Sequence, residues 1–490
     1  MILLVLACNH QPPLSRTDAP DVVILTVDTL RHDRLGATGH PTAHTPNIDA
    51  LAARGVTFTQ ATTPFPRTTP ALASMLTGLL PHRHGSREVG QPMTADRSIA
   101  ALLTERGYTA LGLSATRVAG PEQGLDVGFK RLEVHHDARG SDLSAAALSL
   151  IDAQADPDRP LLLWVHYADP HFPYLPPDAV ESPCQKLGEK AASGKLKRVD
   201  LFTDHDGIAS AALPSCSMLY DGEITATDAG IGALLSGLTE RGRDGGLVIL
   251  SSDHGEHFGE DGIFYEHGPS LHDAALRIPL IVAGPGVIAH TDDGVARLED
   301  VAPTVLAAGG VAESLWPTMD GAALTDRLAG ALPDPDAVAV SESGSALHVR
   351  FFSQLRSGQA DRRSCLNDPP YSLCARPDEA PALYNHIDDR LLKSPLTDPA
   401  THARLTQAAA HWPPEQARHR AARTATHKRT ESPRLVGGYS AILTTHDGVA
   451  VVDPTISSRL ASALSPLPAV ESGERTMEDE EALRALGYIE

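Results

Sequence analysis

Residues 22–28 read VVILTVD, a run of six apolar or β-branched side chains that closes on the carboxylate of Asp28. A continuous run of this kind is typical of a strand that is buried on both faces of a parallel sheet. Similar runs recur at residues 161–166, 247–250 and 279–282, with helical patterns between them. The sequence therefore predicts an α/β fold with a doubly wound, mostly parallel sheet and helices on both faces. The helical patterns cover residues 47–55, 70–77, 98–107 and 220–241.

Polar side chains follow three of the predicted strands, close to the point where each strand ends. Asp28 closes the first strand, Asp169 comes shortly after the second, and Asp253 and His254 follow the third. Ligands of open α/β sheets bind outside the carboxyl ends of the strands. We therefore expect the functional site at this edge of the sheet.

The overall charge limits the class of partner. The chain has 490 residues and a formal net charge of -21. So acidic a protein is a poor match for the phosphate backbone of nucleic acid, and we expect no nucleic-acid partner. An anionic ligand would have to be captured by cations within its site, because the overall field repels it.

The N-terminus resembles a bacterial lipoprotein signal. Residues 2–7 are apolar and lead into Ala7-Cys8, where Cys8 would be the lipidated residue. The run is short and lacks a positive segment before it, so a frayed terminus is the alternative. We predict a periplasmic or outer-membrane lipoprotein of the bacterial cell envelope, tethered through Cys8. No other segment approaches the roughly 20 apolar residues that a transmembrane helix requires.

Four further cysteines lie within the chain, and none of them has the spacing of metal ligands. They are Cys184, Cys216, Cys365 and Cys374. In an exported protein they could form two disulfides, with three possible connectivities. We favour the two local pairs, Cys184–Cys216 and Cys365–Cys374, over the alternative of four free thiols.

The carboxylates at the strand ends suggest a cation site. A carboxylate buried at the end of an apolar strand is unfavourable unless it binds a partner. Asp253 and His254 are adjacent, and Gly255 permits an immediate turn that lets both side chains reach one cation. Helix capping by Asp28 or Asp253 is the simpler alternative.

A possible nucleophile lies in the segment PRTTPALASMLTG, residues 66–78. Pro70 suits the first turn of a helix, which places Thr68 and Thr69 at its N-terminus. Backbone N–H groups and the helix dipole favour an anion there. A hydroxyl at this point could bind a metal, lose its proton and attack an anionic ester. The alternative is that Thr68 or Thr69 serves only as the N-cap.

Taken together and in order, these motifs resemble those of the sulfatases, which have an alkaline-phosphatase-like fold. The clearest segments are LTGLLPHRHG (76–85), WVHYADPHFPY (164–174) and DHGE (253–256), and the others are residues 27–39, 44–49, 266–268 and 276–281. The resemblance covers about residues 20–310. It implies a metal-dependent hydrolase that acts on sulfate or phosphate esters.

The resemblance also implies a role for each matching position. Metal ligands are implied at Asp28, Thr68, Asp253 and His254. Thr68 falls at the position of the nucleophile, and it would also bind the cation through its oxygen. His171 and His267 match residues that contact the ester group and assist departure of the alcohol. One divalent cation is implied, and oxygen ligands with one imidazole suit Mn²⁺, Ca²⁺, Mg²⁺ or Zn²⁺.

The sequence departs from the sulfatase pattern in several places. Typical members have Cys or Ser at the position of Thr68 and oxidise it to formylglycine, which threonine cannot form, so we expect no formylglycine here. Leu72 replaces an arginine of the pattern, and Thr29 replaces an acidic residue. The stretch at residues 112–117 offers only Arg117 as a cation. This combination is closer to relatives that use threonine in phospho-ester chemistry, such as phosphonate monoester hydrolases and phosphoglycerol transferases.

Three functions remain open at this point. The first is a hydrolase of a small-molecule, glycan-linked or lipid-linked anionic ester. The second is a phosphoglycerol- or phosphoethanolamine-type transferase of the cell envelope. The third is a non-catalytic binding protein that keeps the fold, although retention of all four implied metal ligands argues against it.

The sequence also predicts three regions. Residues 1–20 would form the lipoprotein-like signal and linker, and residues 21–337 the sulfatase-like catalytic domain. Residues 338–490 would form a smaller C-terminal α+β subdomain and tail. Within this last region, residues 416–433 are rich in His and Arg, and we expect an exposed helix or loop there.

Overall fold

The structure of the protein is a computed structural model. The structure describes residues 14–16, 19–195, 204, 207–268, 272–334, 337 and 339–343, followed by the strand residues 364–368, 371–375, 382–385, 419–423, 427–434 and 438–445.

An eight-stranded sheet forms the centre of the described fold. Its strands are β1 (Val22–Val27), β2 (Val56–Thr62), β3 (Thr109–Ser114), β4 (Arg131–Val134), β5 (Leu161–Tyr167), β6 (Leu247–Ser251), β7 (Leu280–Ala283) and β8 (His290–Arg297). The strand order is β4-β3-β5-β1-β6-β7-β2-β8. Only β7 runs antiparallel to its neighbours, β6 and β2. All other pairings in this sheet are parallel, so the predicted mostly parallel sheet is confirmed.

Helices connect these strands, as expected for a doubly wound sheet. They are α1 (Pro46–Ala53), α2 (Thr68–Thr77), α3 (Pro81–His84), α4 (Ile99–Glu105), α5 (Gly140–Gln154), α6 (Pro183–Ala192), α7 (Ile208–Glu240), α8 (Asp273–Leu276), α9 (Val301–Ala308) and α10 (Thr325–Leu328). The long helix α7 begins upstream of the predicted residues 220–241 and contains Pro214. A proline inside a helix is unfavourable, and packing of α7 against α5 and α6 stabilises the helical turns around Pro214. None of the helices in the described ranges is long and apolar enough to cross a bilayer.

Both faces of the sheet are covered, as the apolar runs predict. Side chains of β1 alternate between two buried clusters, with Val23 and Leu25 in one and Val22 and Ile24 in the other. Helices α1, α5, α6 and α7 complete the first cluster, and α2, α4 and α9 complete the second. A strand buried on both faces must be apolar throughout. The same packing leaves the strand ends as the place where polar groups can gather.

Antiparallel strands follow the main sheet along the chain. Strand β9 (Ala339–Ser343) pairs with β13 (His419–Arg423), which pairs with β14 (His427–Arg434), and β14 pairs with β15 (Gly438–Thr445). A further three-stranded sheet contains β10 (Ser364–Asp368), β11 (Tyr371–Ala375) and β12 (Ala382–Asn385). The expected helix or loop at residues 416–433 is therefore wrong for the described residues 419–423 and 427–433. Backbone pairing of β13 with β9 and β14, and of β14 with β15, makes strands of them. The domain boundary near residue 338 stays a prediction.

A disulfide joins Cys184 in α6 to Cys216 in α7, with the two Cα atoms 4.9 Å apart. This confirms the first of the two predicted local pairs. The backbone register places Cys365 opposite Cys374 on β10 and β11. Their side chains lie outside what the structure describes, as does Cys8, so the second pair and the lipid tether stay predictions.

Candidate active site

The ends of β1 and β6 lie side by side because these strands pair in parallel. Asp28 follows β1, and Asp253 and His254 follow β6. The Ser252 hydroxyl ties the two ends together, because its oxygen lies 2.7 Å from the backbone oxygen of Val27 and 2.5 Å from that of His254, and its single proton can be donated to either one. The topology thus carries three predicted ligands to one point at the carboxyl edge of the sheet.

The geometry of these three residues fits a cation. His254 Nε2 lies 3.7 Å from Asp28 Oδ1 and 3.3 Å from Asp253 Oδ2, and one ligand atom from each residue lies within 4.8 Å of the others. Asp28 Oδ1 and Asp253 Oδ2 are buried and have no hydrogen-bond partner in the part of the chain that the structure describes. Buried carboxylate oxygens without donors are strongly unfavourable unless a cation compensates them. Asp28, Asp253 and His254 therefore form a possible metal site.

The pKa values of Asp28, Asp253 and His254 also fit a cation site. Burial raises the pKa of Asp28 well above its ordinary value, and the neighbouring Asp253 carboxylate raises it further. Burial also raises the pKa of Asp253 and lowers the pKa of His254 to about 3. The imidazole is thus neutral, which is the form that binds metals. Two buried carboxylates this close remain ionised together only beside a positive charge.

Thr68 begins helix α2 and faces this cluster. Its Oγ1 lies 3.3 Å from His254 Nε2, and the residue is 1% exposed. Arg67 is the N-cap and makes no capping bond through its side chain. Neither threonine is the cap, so the capping alternative is wrong. The first N–H groups of a helix lack intrahelical acceptors and attract an anion, here directly beside the Thr68 hydroxyl.

Thr69 anchors the helix start to two other segments. Its hydroxyl donates to the Val118 oxygen at 2.7 Å and accepts from the Gly90 N–H at 2.9 Å, and the residue is fully buried. Loss of a cap would cost about 1 kcal/mol. Loss of the Thr69 hydroxyl instead leaves the Val118 oxygen and the Gly90 N–H buried without this partner. The loss of stability is therefore set by the free energy of burying these two polar groups unpaired.

We expect Thr69→Val to lower the free energy of unfolding by about 2–4 kcal/mol, because two buried backbone groups lose their partner. Urea denaturation followed by tryptophan fluorescence measures this change. Thr239→Val is the matched control, since the Thr239 hydroxyl is exposed and donates to the Leu235 oxygen of its own helix. It should change stability by less than about 0.5 kcal/mol. Equal effects of the two substitutions would contradict the anchoring role of Thr69.

Both predicted histidines lie beside the cluster. The fully buried His267 ring has its centroid 4.0 Å from that of His254 and 5.3 Å from that of His171. His171 is partly exposed, and its Nδ1 lies 2.7 Å from the Phe172 oxygen. The structure thus brings together all the residues that the sequence placed in the site: Asp28, Thr68, His171, Asp253, His254 and His267. Their roles in a reaction remain to be proposed.

The sequence assigned no role to Glu256, although it ends the DHGE segment. Glu256 is fully buried, and its Oε1 lies 3.2 Å from His267 Nδ1. A Cβ on Gly255 would lie 1.9 Å from the Ala274 oxygen, so only glycine permits the turn that brings His254 and Glu256 to the same site. The adjacency of Glu256 to the metal-ligand pair was the signal available in the sequence.

A buried ion pair also escaped sequence reasoning. Arg67, next to Thr68, places its Nη1 2.7 Å from Oε1 of Glu266, the residue before His267. Both side chains are at most 5% exposed. Gly268 has φ +92°, and a Cβ there would meet the Arg67 guanidinium at 2.1 Å. The pair therefore holds the start of α2 against the segment that carries His267.

His166 is a third unpredicted neighbour. It lies in β5, and its Nε2 is 3.9 Å from Asp28 Oδ2 and has no hydrogen-bond partner within the described residues. Its Nδ1 lies 2.9 Å from the Thr26 hydroxyl. Burial lowers the pKa of His166 to about 4, so this imidazole is neutral as well.

The departures from the sulfatase pattern are visible in the structure. Arg117 is exposed on a 3-10 turn, and Leu72 is buried in the apolar face of α2. Thr29 adopts φ 57°, and its hydroxyl donates to the Pro170 oxygen at 2.9 Å. Its hydroxyl therefore fixes the loop before His171, where the pattern has a carboxylate.

The described fold is an α/β fold of alkaline-phosphatase-like architecture, with a possible metal site at the carboxyl edge of its sheet. The Sulfatase family model matches residues 20–311, which is more than half of the chain. The protein belongs to the sulfatase family.

Relatives of known activity match most of the chain at low identity. The chain is 26% identical to an arylsulfatase of Clostridium perfringens over 360 residues, which covers 59% of this chain and 74% of the relative. It is 24% identical to a choline-sulfatase of Rhizobium meliloti over 458 residues, which covers 81% and 87%. Both relatives are named for sulfate-ester substrates.

Solved structures share the fold. The phosphonate monoester hydrolase of Agrobacterium radiobacter superposes with a TM-score of 0.56 at 20% identity, covering 78% of this chain and 92% of that one. The corresponding enzyme of Silicibacter pomeroyi gives a TM-score of 0.59 at 18% identity, covering 91% and 93%. At these identities the comparison shows the fold alone.

Proposed function

We propose that the protein is a metal-dependent hydrolase of phosphate or sulfate esters with Thr68 as its nucleophile. The observation that carries the proposal is the position of the Thr68 hydroxyl. It stands 3.3 Å from His254 Nε2, beside two uncompensated carboxylate oxygens and the uncapped start of α2. The names of the relatives that match in sequence, an arylsulfatase and a choline-sulfatase, support ester hydrolysis in general.

The cation would be held by Asp28, Asp253, His254 and the Thr68 oxygen. When bound, a divalent ion lowers the pKa of a neighbouring hydroxyl and offsets the negative charge of an ester. The donor set of carboxylates and one imidazole suits Mn²⁺, Ca²⁺, Mg²⁺ and Zn²⁺ alike.

The residues of the chain divide the chemistry between two ends of the substrate. The first N–H groups of α2 hold the ester anion, and Thr68 Oγ1, whose proton has passed to solvent, attacks its phosphorus or sulfur. The bond to the alcohol oxygen breaks, and a proton from His267 or His171 passes to that oxygen. Water then attacks the threonyl adduct and gives one proton back to that imidazole. The group leaves as phosphate or sulfate, and the Thr68 oxygen is unprotonated again.

Threonine favours phospho-esters in this scheme. An aldehyde hydrate has a second hydroxyl through which it can expel the bound group, and a threonyl ester has none. Turnover of the adduct therefore requires attack at phosphorus or sulfur itself, as in threonine-using relatives that cleave phospho-esters. We expect 4-nitrophenyl phosphate, bis(4-nitrophenyl) phosphate or a phenylphosphonate ester to be hydrolysed faster than 4-nitrophenyl sulfate. Comparison of kcat/KM over these four substrates tests the expectation, and a clear preference for the sulfate contradicts it.

We also propose that the protein is exported to the bacterial cell envelope and tethered through Cys8. The disulfide between Cys184 and Cys216 supports export, because disulfides persist in oxidising compartments. Expression in a bacterium with lipoprotein machinery should yield a lipid-modified Cys8 that intact-mass spectrometry detects. A Cys8→Ser variant is the matched control and should lack that mass. An unmodified Cys8 in the mature wild-type protein would remove the tether from the proposal.

A further inference from the structure

We infer that Glu256 is a positioning residue, which acts through His267 to protonate the departing alcohol. This inference rests on the proposed function of the site and assigns the acid role to His267 over His171. It begins from the contact between Glu256 Oε1 and His267 Nδ1 at 3.2 Å, in which both side chains are fully buried.

The two groups form one hydrogen bond at the back of the His267 ring. In the inferred arrangement Nδ1 of His267 donates and Glu256 Oε1 accepts, so the imidazole keeps this bond whether or not Nε2 carries a proton. The second oxygen of Glu256 accepts from the Tyr174 hydroxyl at 3.4 Å. Burial and the Glu256 charge raise the pKa of Tyr174 well above its ordinary value, which keeps this hydroxyl protonated. The Glu256 carboxylate thus bonds to Tyr174 through one oxygen and orients the His267 imidazole through the other.

Anchoring of Nδ1 determines where the rest of the ring points. Nε2 of His267 lies on the side of the ring opposite to Glu256, and the ring is tilted by 30° over His254, with the centroids 4.0 Å apart. The proton exchanged with the substrate is therefore the one on Nε2. His171 differs, because its Nδ1 lies against a backbone oxygen and the residue is partly exposed.

His267 supplies one proton to the departing alcohol and recovers one from water. As the bond between phosphorus or sulfur and the alcohol oxygen breaks, its electron pair stays on that oxygen. The departing oxygen takes the proton from Nε2 of an imidazolium, which carries one proton on each ring nitrogen. The neutral imidazole that remains keeps its Nδ1 proton and its bond to Glu256. Nε2 can then accept a proton from the water that attacks the threonyl adduct, which restores the starting state.

The decisive test uses esters whose alcohols differ in acidity. An acid is needed for an alkyl ester, whose alkoxide leaves poorly, and hardly at all for a 4-nitrophenyl ester. Glu256→Gln should lower kcat/KM for the alkyl ester by ~10²-fold and for the 4-nitrophenyl ester by less than about threefold. In a His267→Ala background the same substitution should have no further effect on either ester.

Two controls separate positioning from mere support. Tyr174→Phe removes the hydrogen bond between Tyr174 and Glu256 and should leave the ratio of the two kcat/KM values unchanged. Glu256→Asp, which keeps the charge on a shorter side chain, should show the same selective loss in smaller measure and serves if Glu256→Gln does not fold. Equal losses on both esters, or an additive effect with His267→Ala, would overturn the inference. Turnover retained by Thr68→Ala would instead sink the proposed function, so the two failures are distinguishable.

Discussion

Thr68→Ala should lower turnover by on the order of 10⁴-fold or more, because the residue that forms the covalent adduct is lost. The fold should persist, since the substitution removes only the atoms beyond Cβ at a position whose hydroxyl contacts the site. Steady-state kinetics on the best ester measures the loss. Mass spectrometry of the wild-type protein, quenched during turnover, should find one phosphoryl or sulfuryl group on the peptide that contains Thr68.

The control for this prediction is Thr68→Ser, which keeps a hydroxyl at the same place and should retain measurable turnover. Digestion of the purified wild-type protein should return an unmodified threonine at this position. Turnover of Thr68→Ala within tenfold of wild type, or an adduct on another residue, would show that the nucleophile has been misassigned.

Asp28→Asn and Asp253→Asn should each lower turnover by roughly 10³-fold, the loss expected when a metal ion no longer stabilises the reacting charge. The order of thermal stability between each variant and the wild type should depend on whether a divalent metal is present. In EDTA, each variant should unfold at the same or a higher temperature than wild type, because one of two buried, close carboxylates has been neutralised. With Mn²⁺, Mg²⁺, Ca²⁺ or Zn²⁺ added, only the wild type should gain thermal stability.

Elemental analysis completes the test of the metal site. Asp152→Asn is the matched control, because Asp152 is an exposed carboxylate that pairs with Arg241 on the surface. It should leave metal content, turnover and thermal shift unchanged. Full metal occupancy in both Asp28→Asn and Asp253→Asn would mean that the ligand set is wrong.

The sequence locates the three residues of the possible metal site, because Asp28, Asp253 and His254 follow strongly apolar strands. Burial on both faces makes β1 and β6 recognisable from composition alone, and the polar residues that end them stand out by contrast. Asp28 and Asp253 were found in this way. Thr68 was found through the helix that follows it, although the helix begins at Thr68 and not at Pro70. Proline is tolerated throughout the first turn, because N–H groups there have no intrahelical acceptor.

Residues that act by touching other side chains could not be found in this way. The pair Arg67–Glu266 joins positions 199 apart in the sequence, and no local pattern links them. His166 lies within an apolar strand, where its neighbours suggest only burial. Thr69 resembles a helix cap in sequence, and only the positions of Val118 and Gly90 show that it joins three segments. Edge strands such as β4 and β8 carry exposed residues, so their apolar signal is weak.

The pairing of β1 with β6 also determines the stage of folding at which the site can form. Thr29 and Asp253 contact each other across 224 residues, and Thr68 and His254 across 186. Closing loops of this length is slow, and contacts of such high sequence separation form late in folding. A chain still being synthesised, or still crossing a membrane, exposes Asp28 and Thr68 long before their partners arrive. The growing chain therefore has no assembled site until the segment that follows β6 has emerged and docked.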